Sequence, residues 1–129
     1  MNETLRNILA VGFGGAIGAI TRYGLNLSPI SKISQVFPFS TFFANVLGSF
    51  LIGFLFVFLT ARFPDSDTLK LFLLVGVLGG FTTFSSYELE IWTLFEQGRS
   101  VNALIYLFTS LILGFFAVAF GIFIARRFV

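Results

Sequence analysis

Residues 79–88, GGFTTFSSYE, lie in the middle of a long apolar segment and decide how the fold is interpreted. Two glycines, two threonines and two serines interrupt a run that otherwise suits a membrane span. Backbone at membrane depth leaves the helix only where it is buried in protein or lines a cavity. The stretch therefore has two interpretations: a glycine packing face on an intact helix, or a break whose freed carbonyl and amide groups meet an ion.

The composition indicates an integral membrane protein with a single domain. Of the 129 residues, 57% are hydrophobic and only 11% are charged, against about 25% charged residues in soluble domains. The sequence contains no cysteine and no histidine, which removes disulfides, thiolate chemistry and the commonest general base. Neither a nucleophile–base pair nor a pair of carboxylates at membrane depth is present, so we do not expect an enzyme. The scattered basic residues do not form a nucleic-acid footprint.

Four apolar segments, at about residues 5–27, 37–61, 69–95 and 101–124, are separated by short stretches with loop chemistry. A spanning helix needs roughly 20 residues, so each segment supplies one span. The sequence therefore predicts an all-α membrane protein with four transmembrane helices. Four helices make a thin bundle, and the glycine pairs Gly14/Gly18 and Gly76/Gly80 have the spacing that lets helices approach closely. Oligomerisation is therefore expected.

The basic residues are divided almost evenly between the two sides of the predicted bundle. The side of the termini carries five and the other side carries up to three: Arg6, Arg62, Lys70, Arg126 and Arg127 against Lys32, Arg99 and Arg22. Orientation in the membrane follows the asymmetry of lysine and arginine. So small a bias leaves two possibilities open: dual topology, or a single orientation that is only weakly preferred.

Uncharged polar side chains are the candidates for function inside the spans. Asn45 must find hydrogen-bond partners at this depth, either as a link between helices or as a donor facing a pore. Tyr106, Ser110 and Gly114 recur every four residues and so share one helix face. Phe84 and Tyr87 also share a face, and the electropositive edge of an aromatic ring can coordinate a small anion.

Several motifs follow one another along the chain: GGAIGAITRY at 14–23, PxSTxxxNxxGSFxxG at 38–53, GxxGGFTTFSSYxxE at 76–90 and the Tyr106/Ser110 pair. Together they closely resemble those of the Fluc (CrcB-type) fluoride channels. The resemblance covers all four spans in order. It implies a dual-topology homodimer of antiparallel subunits in the plasma membrane, with lipid around it and two pathways that export fluoride passively. It also implies a third helix broken at its centre and a structural Na⁺ on the dimer axis, held by the backbone carbonyls of Gly79 and Thr82.

The resemblance also assigns roles to individual side chains. It implies that the pore residues are Asn45, Phe84, Tyr87, Tyr106 and Ser110, and that Arg22 and Glu90 lie near the pore mouth. For the passage of fluoride we also expect Thr83 or Ser85 to supply donors. The sequence departs from the family at three positions. Tyr87 stands where the family has phenylalanine, Gly114 offers no hydroxyl, so that Thr109 is a candidate substitute, and Ser40 replaces a glycine.

Two other functions remain as alternatives. A small dual-topology, proton-coupled exporter fits four spans and a weak charge bias, with Glu88 and Glu90 as its candidate carboxylates. Such an exporter would want an ionisable residue inside the bundle, and the first span has no mid-membrane carboxylate. A membrane scaffold without transport activity is the other alternative.

Overall fold

The computed structural model describes residues 2–129, and its regular elements in that range are helices. Four segments are long and apolar enough to cross a membrane: Glu3–Leu27, Phe39–Arg62, Asp67–Glu96 and Ser100–Ala125. The prediction of an all-helical protein with four membrane-spanning helices is confirmed.

The first, second and fourth spans are single helices, whereas the third is composite. Helix α1 is Glu3–Leu27, and a short 3₁₀ helix at Pro29–Lys32 leads to α2 at Phe39–Arg62. The third span consists of α3 (Asp67–Lys70), a π-helical stretch (Leu71–Leu78), α4 (Gly79–Phe81) and α5 (Ser85–Glu96). Helix α6, Ser100–Ala125, completes the fold.

Local signals set the ends of these helices. The Asn2 side chain accepts a hydrogen bond from the Leu5 amide at 2.8 Å and so caps α1, because the first amides of a helix have no partner within it. Gly98 lies beyond the end of α5 with φ of +71°, a conformation that glycine adopts without steric cost. The Arg99 amide then bonds the Leu94 carbonyl at 2.9 Å, and the chain turns into α6.

The two predicted glycine pairs lie in the contact between α1 and the first half of the third span, where Gly14 and Gly76 meet directly. A Cβ atom added at Gly14 would lie 3.0 Å from the Gly76 Cα, and one at Gly76 would lie 2.9 Å from the Gly14 Cα. A Cβ at Gly18 would lie 2.7 Å from the Phe81 amide nitrogen. Helix α1 and the first half of the third span therefore meet backbone to backbone, which is the packing that small residues permit in membranes.

Helix α6 packs along α2 on one side and against α5 near its own start. An added Cβ at Gly121 would lie 2.9 Å from the Phe54 amide nitrogen, which shows how closely α6 approaches α2. The contact with α5 is a cluster of buried side chains: Tyr87, Ile91, Leu94, Ala103 and Tyr106. This cluster holds the second half of the third span against α6.

Candidate functional site

The third span leaves the helical conformation between Phe81 and Ser85. Thr82 is extended, with ψ of 156°, and α5 begins at Ser85. The Asn45 side chain meets both backbone groups of Thr83: its Nδ2 donates to the Thr83 carbonyl at 2.9 Å, and its Oδ1 accepts from the Thr83 amide at 2.8 Å. Asn45 therefore supplies the partners that the interrupted helix lacks, as backbone groups in lipid require.

Arg22 stabilises the interruption from the opposite side. Its Nε donates to the Gly80 carbonyl at 3.2 Å, and the side chain is partly buried. A cation near the C-terminal end of a helix is favoured by the helix dipole, and Gly80 is in the last turn before the interruption. The resemblance implies a role for Arg22 at the pore mouth; in the structure the residue contacts the third span directly.

Within residues 2–129, two residues at the interruption, Gly79 and Thr82, have carbonyls that receive no backbone amide outside the continuous helices. Both residues line the same groove, described below. No group of three acidic, histidine or cysteine side chains that could hold a metal occurs among these residues. Carbonyl oxygens are the donors left for a cation here, and they suit a hard ion.

A groove of about 440 Å³ opens beside the interruption, between α2, the third span and α6. It contains five of the seven residues predicted to line a pore: Asn45, Thr83, Phe84, Tyr87 and Ser110. The small residues Gly48, Ser49 and Gly114 also line the wall, together with Gly79 and Thr82. The remaining wall is apolar and consists of Ile52, Leu74, Leu78, Leu111, Phe115 and Val118. The groove is therefore mostly apolar, with a few polar groups in its wall.

Two aromatic rings of the groove differ sharply in their surroundings. Phe84 is 65% exposed, whereas Tyr87 is 3% exposed, and their ring centroids are 6.1 Å apart. The Tyr87 hydroxyl donates to the Leu107 carbonyl of α6 at 2.6 Å. The departure from the family at position 87 thus adds a hydrogen bond to a neighbouring helix.

The Ser110 hydroxyl is buried close to the Tyr87 hydroxyl, and neither that group nor any other described residue forms a well-aligned hydrogen bond with it. A buried hydroxyl without a partner is costly, so its presence in a groove wall needs a reason. Thr109 is no substitute, because its hydroxyl donates to the Ile105 carbonyl of its own helix at 2.6 Å and the residue does not line the groove.

The other predicted site residues lie outside the groove. Ser85 is exposed at the start of α5, and Tyr106 is fully buried behind Tyr87, with ring centroids 5.1 Å apart. The Tyr106 hydroxyl donates to Glu90 Oε2 at 2.7 Å, and Thr41 donates to Glu90 Oε1 at 2.7 Å. Glu90 also lines a second, smaller cleft of about 260 Å³ beside the loop before α2.

Three contributors to the site were not predicted: Thr41, Ser49 and the Leu107 carbonyl. Thr41 and Ser49 could have been found from the sequence, because each is four residues from Asn45 and so shares its face of α2. Nothing in the sequence singles out the Leu107 carbonyl, since every residue has a backbone acceptor.

The fold and the groove define a small multi-pass membrane protein that presents uncharged polar groups and ring edges at an interrupted helix. Residues 9–122 match the family described as CrcB-like protein, Camphor Resistance (CrcB). The chain belongs to this family.

Relatives in three organisms share nearly the whole length of the chain. It is 41% identical over 125 residues to the fluoride-specific ion channel FluC of Rhizobium meliloti, covering 97% of this chain and 100% of that protein. It is 46% identical over 117 residues to FluC of Thermus thermophilus, covering 91% and 93%. FluC of Chlorobium chlorochromatii is 44% identical over 126 residues, covering 98% and 97%.

Proposed function

We propose that this protein is a fluoride-selective ion channel that lets fluoride leave the cell passively. Its full-length relatives are named fluoride-specific ion channels. The observation that carries the proposal is the buried Ser110 hydroxyl, which forms no well-aligned hydrogen bond with the described residues and lies in a groove beside the rings of Phe84 and Tyr87. A hydrogen-bond donor in an otherwise apolar wall can replace part of the hydration shell that an anion loses on entering the groove.

The groove contains several hydrogen-bond donors, all of them weak and uncharged, and such a set suits the conduction of an anion. The Asn45 amide has a second N–H beyond the one that bonds Thr83, and the groove lies at the N-terminal end of α5, where the helix dipole favours anions. Ring edges add electropositive contacts without a full charge. Multiple weak sites replace hydration and still let the ion leave.

The second copy in an antiparallel homodimer would complete each pathway. The groove is open along one side, and its polar groups cannot face lipid without cost. A second copy of the chain would cover that side, and two symmetry-related grooves would give two pathways per dimer. The nearly even division of basic residues supports insertion in both orientations. We place the dimer in the plasma membrane, where passive fluoride exit lowers the cytoplasmic concentration.

A structural Na⁺ fits the free carbonyls of Gly79 and Thr82. Oxygen donors suit this hard cation, and neither carbonyl receives a backbone amide among the described residues. Bound there, the ion would supply a positive charge that offsets anions nearby. The protein's own contribution is to hold both carbonyls at the interruption through the Asn45 and Arg22 hydrogen bonds.

An enzymatic function and a proton-coupled exporter receive no support. The named relatives are ion channels. Glu90 accepts hydrogen bonds from Thr41 and Tyr106, an arrangement suited to holding α2, α5 and α6 together. Arg22, bonded to Gly80, would attract anions toward the interruption.

Fluoride resistance in a bacterial strain that lacks its own fluoride exporters tests the proposal. Expression of the protein should restore growth at fluoride concentrations that arrest the strain. The double variant Asn45→Ala, Phe84→Ile should reach the membrane and yet fail to restore growth. A membrane scaffold would instead leave the strain sensitive with either protein.

A further inference from the structure

The wall of the groove holds a second hydroxyl, that of Ser49 on α2, to which no role has been given. Ser49 lies one turn beyond Asn45 and lines the same groove. A Cβ atom added at Gly114 of α6 would lie 3.5 Å from the Ser49 Oγ, the one atom of residues 2–129 within 4 Å of it apart from the neighbouring backbone of α6. The Ser49 hydroxyl therefore faces α6, and Gly114 leaves open space beside it.

The Ser49 hydroxyl is not consumed by its own helix. A hydroxyl inside a helix commonly donates to the carbonyl four residues earlier, and Thr60 of α2 does so, bonding the Phe56 carbonyl at 2.6 Å. The side chains of α2 that form hydrogen bonds within the described part of the chain are Ser40, Thr41, Asn45, Thr60 and Arg62. Ser49 is not among them, so its hydroxyl is available to a ligand in the groove.

One turn beyond Ser49, α2 and α6 close on each other. A Cβ atom added at Gly53 would lie 3.2 Å from the Val118 Cα. Gly53 follows Ser49 by one turn, and Val118 follows Gly114 by one turn, so the two helices run in the same direction and in constant register. Ser49 is thus the last polar side chain of α2 before the helices meet backbone to backbone.

The same register places two polar levels along the groove. One turn before Ser49 and Gly114 are Asn45 and Ser110, which line the groove beside the interruption. Four residues of an α-helix rise about 6 Å. The Ser49 hydroxyl therefore lies about one turn farther along the groove than the Asn45 amide and the Ser110 hydroxyl.

We propose that the Ser49 hydroxyl is a further anion-binding donor and that, with the space left by Gly114, it forms a fluoride subsite one turn beyond Ser110. This inference rests on the proposed function. Ser49 donates to the ion from α2, and Gly114 keeps clear the place where a side chain of α6 would otherwise stand. The two levels let an ion move between uncharged donors without meeting a full charge.

The test moves the hydroxyl from one helix to the other and measures fluoride efflux from liposomes that contain the purified protein. Ser49→Ala should lower the flux by about threefold to tenfold, the effect of one lost hydrogen bond. Adding Gly114→Ser to Ser49→Ala returns a hydroxyl to the same space from α6 and should restore most of the flux. Adding Gly114→Ala instead fills that space without a donor, so the flux should stay low.

Thr60→Ala is the matched control on α2, because Thr60 is exposed and lies outside the groove; its flux should equal that of wild type. Thermal unfolding and size-exclusion chromatography of each variant give the folded fraction used to scale the fluxes. Wild-type flux in Ser49→Ala would overturn the inference, and so would a loss that serine at position 114 repaired no better than alanine. Failure of the proposed function is a separate result, in which wild-type liposomes release no fluoride, and it would remove the subsite as well.

Discussion

The side chain of Asn45 and the backbone of Thr83 exchange two hydrogen bonds, at 2.9 and 2.8 Å, across the interruption of the third span. One side chain of α2 thereby satisfies both the carbonyl and the amide of a residue that has left the helix. Asn45 and the interruption in the third span therefore satisfy each other's hydrogen-bonding groups.

Replacing Asn45 with alanine should both destabilise the protein and impair conduction. The substitution leaves the Thr83 amide and carbonyl without these partners, at a cost of about 1–3 kcal/mol in the free energy of unfolding. Fluoride efflux from liposomes should fall by about tenfold or more, since a donor is lost and the interruption loses its support. Thermal unfolding in detergent and a fluoride electrode measure the two effects.

The matched control for this substitution is Asn102→Ala. Asn102 is exposed at the start of α6, so both stability and flux should stay at wild-type values. Equal behaviour of the Asn45 and Asn102 variants would show that the two hydrogen bonds to Thr83 have no role.

Replacing Ser110 with alanine should separate function from stability. The hydroxyl forms no well-aligned hydrogen bond with the described residues, so its removal should leave the unfolding temperature unchanged or slightly raised. Fluoride efflux should nevertheless fall by about tenfold or more, because a donor in the pathway has been deleted.

Thr109→Ala provides the comparison one position earlier on α6. Its hydroxyl bonds the Ile105 carbonyl of its own helix and lies outside the groove, so flux should be unaffected. A Ser110→Ala protein that conducted as fast as Thr109→Ala would remove Ser110 from the pathway.

Glu90→Gln should weaken the junction of α2, α5 and α6. Thr41 and Tyr106 each donate a hydroxyl to a different carboxylate oxygen, and glutamine offers one oxygen acceptor and one amide donor. One of the two bonds must be lost or reversed, so the free energy of unfolding should drop by about 1–2 kcal/mol.

Chemical denaturation of Glu90→Gln beside Glu96→Gln measures this effect. Glu96 is exposed at the end of α5 and should tolerate the change. If the Glu96 variant lost as much stability as the Glu90 variant, the loss would reflect removal of any acidic charge and not the two hydrogen bonds.

Gly18→Ala should destabilise the contact between α1 and the third span. The added methyl would collide with the Val77 carbonyl oxygen and lie 2.7 Å from the Phe81 amide nitrogen, both of them backbone atoms that cannot turn aside. Such overpacking costs about 1–3 kcal/mol, which thermal unfolding in detergent can detect.

Gly12→Ala is the matched control on the same helix. Nothing lies within 4 Å of a Cβ at Gly12, so alanine should be neutral, or stabilising by up to about 1 kcal/mol through its helix propensity. Equal stability of the Gly12 and Gly18 variants would contradict the observed backbone approach.

The four membrane-spanning helices were predictable because apolar segments of this length rarely form any other structure. The interruption was predictable only as one of two interpretations, since glycines at 76, 79 and 80 serve a packing face as well as a break. The structure assigns Gly76 and Gly80 to packing against α1, whereas nothing lies closer than 4.0 Å to a Cβ at Gly79.

The details of the site were harder to predict because an interruption resets the helical phase. Positions after Thr82 cannot be extrapolated from the apolar face before it. The family resemblance implies that Tyr87 lies in the pore, and the sequence leaves Ser85 as an alternative donor to Thr83. In the structure Tyr87 lines the groove and Ser85 does not. The partners of Tyr87 and Asn45 are backbone groups of Leu107 and Thr83, and residue types do not reveal such partners.

The central claim is that the groove conducts fluoride, and a fluoride electrode tests it most directly. Liposomes loaded with potassium fluoride or potassium chloride, containing purified wild-type protein, are opened to potassium flow with a potassium ionophore. Our account predicts rapid fluoride efflux and chloride efflux close to that of protein-free liposomes. Chloride release as fast as fluoride release, or no fluoride release above protein-free liposomes, would contradict it.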